Sequence, residues 1–134
     1  VRLLLDTQLL LWSAGWPVED GERSPLSAEA IALIGDEQNA PIFSVASLWE
    51  VAIKSALGRP DFRADPRTLR RGLIDNGYAE LPISGDHAMA VAGLPPLHRD
   101  PFDRLLVAQS MVEGILLLTA DPVVARYPGP VRRV

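Results

Sequence analysis

The chain has 134 residues, 48% of them hydrophobic and 22% charged, with no cysteine and a formal net charge of −4. That is the composition of one ordinary globular domain, and it excludes a disulfide framework, a thiolate metal site and a cysteine nucleophile while suiting a reducing cytoplasm. An acidic chain does not hold nucleic acid by net charge, so any such binding has to use local basic patches or a bound cation.

Arg2–Leu5 is a short apolar run that predicts a buried strand. It ends at Asp6-Thr7, both good N-caps, with a helix expected over Gln8–Ala14. Asp6-Thr7-Gln8 also interrupts the apolar runs Leu3–Leu5 and Leu9–Trp12, so neither a membrane span nor a signal-peptide layout is expected. Val1 reads as an alternative start or a trimmed terminus. Gly15–Pro25 reads as a loop, and Ser27 caps a helix to about Glu37 with Ile31 and Ile34 on one face.

Pro41–Ser44 predicts a second strand. Ser47 is the expected cap of a helix over Leu48–Leu57, closed by Gly58, with Trp49, Ile53 and Ala56 as its apolar stripe. Glu50 and Lys54 sit four apart and can pair. Arg59–Ala64 is a linker, Asp65-Pro66 opens a helix to Asn76, and Ala79–Ile83 is a strand weakened by Pro82. Ser84 caps a short helix over Asp86–Ala92, and Gly93–Arg99 is a loop. Asp100 caps the helix Pro101–Glu113, ended by Gly114. Ile115–Thr119 is a continuous apolar strand, Asp121-Pro122 opens a helical turn to about Arg126, and Val131–Val134 is a last strand. Strands alternating with helices predict an α/β fold with a mostly parallel sheet, as a single domain over residues 1–134.

In such a sheet, ligands bind beyond the carboxyl ends of the strands. Asp6 and Asp121 both follow strands, Glu50 lies near the same edge, and Asp100 and Asp103 join them if their helix runs antiparallel to the sheet. Carboxylates gathered on one edge need a countercharge. With oxygen ligands and no convergent Cys or His set, that countercharge is Mg²⁺ or Mn²⁺, and the chemistry is phosphoester hydrolysis.

Each acid also has a plainer explanation. Asp-Pro occurs at Asp65-Pro66, Asp100-Pro101 and Asp121-Pro122, and the first has no acidic companion, so this chain uses the pair simply to start helices. Asp103 fits a capping role, and Glu50 a solvated helix residue paired with Lys54. Spacing alone leaves both readings open. The rest of the chain holds no nucleophile elbow and no phosphate-binding glycine loop, and His87 and His98 lie near helix starts or loops. Arg70-Arg71 and Arg132-Arg133 read as solvated faces.

Four segments carry a resemblance: Leu4-Leu5-Asp6-Thr7; Ser44-Val45-Ala46-Ser47-Leu48-Trp49-Glu50-Val51-Ala52-Ile53-Lys54; His98-Arg99-Asp100-Pro101-Phe102-Asp103-Arg104-Leu105-Leu106-Val107-Ala108-Gln109; and Leu118-Thr119-Ala120-Asp121. In this order and at these separations the chain resembles, nearly end to end, a PIN-domain ribonuclease of the VapC toxin type. The resemblance implies a three-layer α/β/α sandwich with a mostly parallel sheet, an acidic pocket holding Mg²⁺ or Mn²⁺, and RNA cleavage. It implies Asp6, Glu50, Asp103 and Asp121 as the four acids, with Asp6 and Asp103 on the metal. Glu50 and Asp121 would complete the shell or orient water, Thr119 would support Asp121 or the metal shell, and Asp100 is an extra acid whose capping role can suffice. A cognate antitoxin and a homodimer are implied too. Lys54 and Arg104, next to the acids in sequence, are the expected RNA contacts. One departure stands at Gln8, where close relatives often carry His. The rival readings are a PIN-like module that binds RNA or protein without cutting, and an aspartyl-phosphate phosphatase, whose second Asp is missing at Gln8.

Overall fold

The structure is a computed structural model that describes residues 1–16 and 25–134. The loop expected over Gly15–Pro25 falls largely on residues 17–24, outside the described residues. The strands are β1 (Arg2–Leu5), β2 (Ala40–Ser44), β3 (Ala79–Leu81), β4 (Leu116–Thr119) and β5 (Val131–Arg133). The helices are α1 (Thr7–Ser13), α2 (Ala28–Gly35), α3 (Val45–Ala56), α4 (Pro66–Asp75), α5 (Gly85–Val91) and α6 (Pro101–Glu113). Short 3-10 turns lie at Pro60–Phe62 and Val124–Arg126.

The strands form one sheet in the order β3-β2-β1-β4-β5, and every pairing is parallel. β1 is central, and its side chains alternate between two cores as strand geometry requires. Leu3 and Leu5 enter a core with Leu9, Phe43, Val51 and Leu69, under α1 and α4. Leu4 enters the other with Leu106, Val107 and Leu117, under α6. Helices on both faces of a parallel sheet make the three-layer α/β/α sandwich expected of the sequence.

Strand order reverses at β1: the chain runs outward from it to β2 and β3, then returns to its other side with β4. The seam between β1 and β4 is therefore the topological switch point, where open parallel sheets form their crevice.

Three expectations are corrected. α3 starts at Val45, and its cap is Ser44, whose hydroxyl accepts from the Ala46 amide at 3.0 Å. Both serines suit a cap, but β2 pairing ends at Ser44 and the chain turns there, which leaves Ser47 inside the first turn. The expected apolar stripe of α3 faces outward: Trp49 is 56% exposed, Ile53 and Ala56 are exposed, and the buried side is Ala46, Ser47, Glu50 and Val51. A polar cluster with its own hydrogen bonds occupies the inner face, so hydrophobicity alone assigns the wrong side. On α2, Ala30 is the buried residue and Ile31 is 53% exposed.

Candidate functional site

Asp6 follows directly on β1, and the seam holds it in place. Its amide donates to Leu118 O on β4 at 3.1 Å. Its Oδ1 caps α1 by accepting the Leu9 amide at 2.9 Å. Its Oδ2 accepts the Thr119 hydroxyl at 2.6 Å, and Thr119 in turn accepts the Asp121 amide at 3.0 Å. Thr119 thus links the two acids at the ends of β1 and β4. Burial, opposed by the Thr119 and Leu9 hydrogen bonds and reinforced by the Glu50 and Asp121 charges, pushes the Asp6 carboxyl up to about 6.

Glu50 comes from the inner face of α3 and is only 3% exposed, which overturns the solvated-helix reading. Its Oε1 accepts the Thr7 hydroxyl at 2.6 Å, and Thr7 also contacts Ser47 Oγ at 2.9 Å. Its Oε2 pairs with Lys54 Nζ at 2.5 Å. The same ammonium reaches Asp100 Oδ2 at 3.0 Å and lies over the rings of Phe62 and Phe102, 4.7 and 5.7 Å from their centroids. Burial works against the Lys54 charge, but its hydrogen bonds to Glu50 and Asp100 outweigh that and hold its pKa above the ordinary value. Asp100 mirrors it: burial is outweighed by Lys54 and by the Phe102 and Asp103 amides, so its carboxyl stays below the ordinary value.

Asp103, in the first turn of α6, faces the same cleft without such compensation. No hydrogen bond reaches its carboxylate among the described residues, and His98 Nε2 lies 3.4 Å away. Burial, followed by the charges of Asp100, Glu50, Asp6 and Asp121, pushes the Asp103 carboxyl up to about 8. Asp121 is better supplied: Oδ1 accepts the Val123 amide at 2.7 Å, and Oδ2 lies 3.1 Å from His98 Nε2.

Asp6, Glu50, Asp100, Asp103 and Asp121 thus line one cleft of about 290 Å³, shared with Thr7 and Lys54. A larger cleft, lined by Trp16, Leu69 and Tyr78 among others, has no carboxylate in its wall. The donor set suits a hard divalent cation: carboxylate oxygens converge, and the central one, Asp103, lacks a cationic partner.

The residue missed from sequence is His98. Its signal was its place two residues before an Asp-Pro helix start, in a loop that has to pack against that start. Thr7 and Ser47, read as possible helix caps, instead orient Glu50. Arg104 is corrected in the other direction. Its guanidinium donates to Pro95 O at 2.9 Å, Val91 O at 3.3 Å and Tyr127 Oη at 3.0 Å. Tyr127 Oη also accepts the His98 amide at 2.8 Å, so Arg104 braces the loop that carries His98 and is not placed for RNA. Lys54 is at the cleft as expected, held by two acids.

Comparison with known proteins gives two matches. The PIN domain family matches residues 3–130. The fold is similar to that of a chain in VapBC2 from Rickettsia felis, a complex determined bound to a DNA fragment from its promoter. The TM-score is 0.68, with 13% identity over 99% of this chain and 98% of that one. No curated protein matches the chain.

Proposed function

The chain belongs to the PIN-domain family, and from that premise we propose that it is a Mg²⁺- or Mn²⁺-dependent endoribonuclease, the VapC-type toxin of a toxin–antitoxin pair. The observation that carries this reading is Asp103: a largely buried carboxylate, without a hydrogen bond, among four other acids. A cation at that point removes the like-charge cost that the protein otherwise bears.

Asp6 and Asp103 are the residues that would hold the ion. Once bound, a divalent ion supplies polarisation of a phosphate oxygen and a water acidic enough to attack near neutral pH. The chain's own groups do the rest. Thr119 fixes which face of Asp6 is turned to the cleft, because its hydroxyl occupies one lone pair of Oδ2. Thr7 and Lys54 fix Glu50 from both oxygens. Asp121, held by the Val123 amide and facing His98, stands where it can orient a water or take up its proton. Lys54 adds the positive charge that an acidic cleft needs to admit an RNA phosphate. As a VapC-type toxin the chain would act in the cytoplasm, form a homodimer and be held inactive by a small antitoxin protein. Among the described residues no helix is long and apolar enough to cross a membrane.

The test is cleavage of structured tRNA, rRNA and mRNA with Mg²⁺ or Mn²⁺, with and without chelator, beside Asp6→Asn and Asp103→Asn. Chelator and either substitution should stop cleavage while the fold persists. Robust cutting in chelator, or by both variants, overturns the metal mechanism, and a wild type silent on all three RNAs transfers the reading to a non-cleaving PIN-like binding module.

A further inference from the structure

Five carboxylates in one cleft could hold one divalent ion or two, and two ions change the chemistry, because a pair clamps the attacking and leaving oxygens together. The side chains between the acids bear on that choice. We propose that the cleft takes a single divalent ion, at Asp6 and Asp103, because Lys54 Nζ and His98 Nε2 already occupy, as resident N–H donors, the two other places among the acids where an ion would sit. This rests on the metal-dependent reading above and specifies it.

The first place lies between Glu50 and Asp100. Lys54 Nζ fills it, 2.5 Å from one carboxylate and 3.0 Å from the other. The ammonium is not free to swing out at no cost, since it also lies over the Phe62 and Phe102 rings, and contacts of this kind strengthen as water is excluded. An ammonium between two carboxylates makes the contacts that a bound cation would make there.

The second place lies between Asp103 and Asp121. By donor type it is a candidate site, since ligand atoms of His98, Asp103 and Asp121 all lie within 4.8 Å of one another. The hydrogen bond on the far side of the ring decides against it. The Asp100 amide donates to His98 Nδ1 at 3.0 Å, so Nδ1 presents a lone pair. A ring that accepts at Nδ1 carries its proton on Nε2. Nε2 is the atom facing Asp121 at 3.1 Å and Asp103 at 3.4 Å. A protonated ring nitrogen has no lone pair for a metal, so His98 is a donor that positions the two carboxylates and not a ligand.

Elimination leaves Asp6 and Asp103. Each oxygen of Asp6 accepts one hydrogen bond and keeps a second lone pair. Asp103 keeps nearly all of its acceptor capacity.

The experiment uses the whole chain, stripped by chelation and titrated with Mn²⁺, with free ion counted by electron paramagnetic resonance. The expected count is one ion per chain, without spin coupling between ions and without an imidazole nitrogen in the electron spin-echo spectrum. Lys54→Met, which removes the resident cation but keeps a similar stem, is expected to take two, and Lys54→Arg one. Two ions in the wild type, a count of one in Lys54→Met, or a nitrogen coupling that disappears in His98→Gln overturns the proposal. If Lys54→Met does not fold, the wild-type count and echo spectrum still decide. A wild type that binds no Mn²⁺ is a different failure, since it removes the metal-dependent reading itself and this inference with it.

Discussion

Thr119 Oγ1 donates to Asp6 Oδ2 at 2.6 Å, joining residues 113 positions apart. Both are buried, and each belongs to a strand end at the seam where strand order reverses. Thr119→Val keeps the shape and removes the hydroxyl. It leaves Asp6 short of a donor and the Asp121 amide without its acceptor, a loss of about 1–3 kcal/mol in thermal or denaturant unfolding. Mn²⁺ affinity should fall about tenfold, as for other residues that orient metal-binding carboxylates. Thr119→Ser should recover both, and Mn²⁺ titration beside thermal melts reads the two effects separately.

Asp103 makes the metal-free protein sensitive to pH. Its unfolded value is 3.8 and its folded value about 8. Below the first value both states are protonated. Between the two the unfolded chain has released the proton and the folded chain has not, so stability falls as pH rises and levels off above the folded value. Asp6 adds the same slope up to about 6. Melts in chelator should therefore show a lower Tm at about pH 9 than at about pH 5 from these two groups. Mg²⁺ should restore most at high pH, where no proton competes for the carboxylates. Asp103→Asn should flatten the slope, raise the metal-free Tm at alkaline pH by the equivalent of about 1 kcal/mol, and remove the response to Mg²⁺.

The inward face of α3 is testable by two substitutions on adjacent turns. Val51→Ala empties part of the core beside Leu9 and Phe43 and should cost about 2 kcal/mol. Trp49→Ala removes a larger side chain but only an edge-to-face contact with Phe102, at 5.1 Å between ring centroids. It should cost about 1 kcal/mol or less. Urea midpoints in the reverse order would place the hydrophobic stripe inside after all.

Arg104→Met should lower stability by about 2–3 kcal/mol, because two loop carbonyls and the Tyr127 hydroxyl lose a charged donor. RNA affinity measured well below the melting temperature should change little. A large loss of RNA binding with an unchanged Tm would return Arg104 to the phosphate-contacting role its sequence position suggests.

Strand and helix order was legible because the apolar runs are short and the caps strong. Asp65, Asp100, Ser27 and Ser84 all cap where the spacing places them. The gathering of Asp6, Glu50, Asp103 and Asp121 at one sheet edge was legible from the rule that sites form beyond parallel strand ends. What sequence could not supply was which side of α3 is buried, since Trp49 and Ile53 outweigh Glu50 and Ser47 on any hydrophobic scale. Only the tertiary partners Thr7 and Lys54 make that polar face inexpensive to bury. His98 and Arg104 exchanged their expected importance for a related reason. Whether a basic side chain meets an acid or a loop carbonyl depends on how Gly93–Arg99 folds back over α6, and no local pattern encodes that path.

The seam between β1 and β4 also sets a time at which the cleft can exist. The first acid emerges almost at the start of synthesis, while the strand that aligns it, with Leu5 opposite Leu118, emerges almost at the end. A nascent chain that has passed Asp103 already contains three of the four acids, yet it has neither the Leu118 carbonyl nor the Thr119 hydroxyl that orient Asp6. An unfinished chain is therefore inert, and a ribosome making this protein is not exposed to its chemistry until the last strands are out.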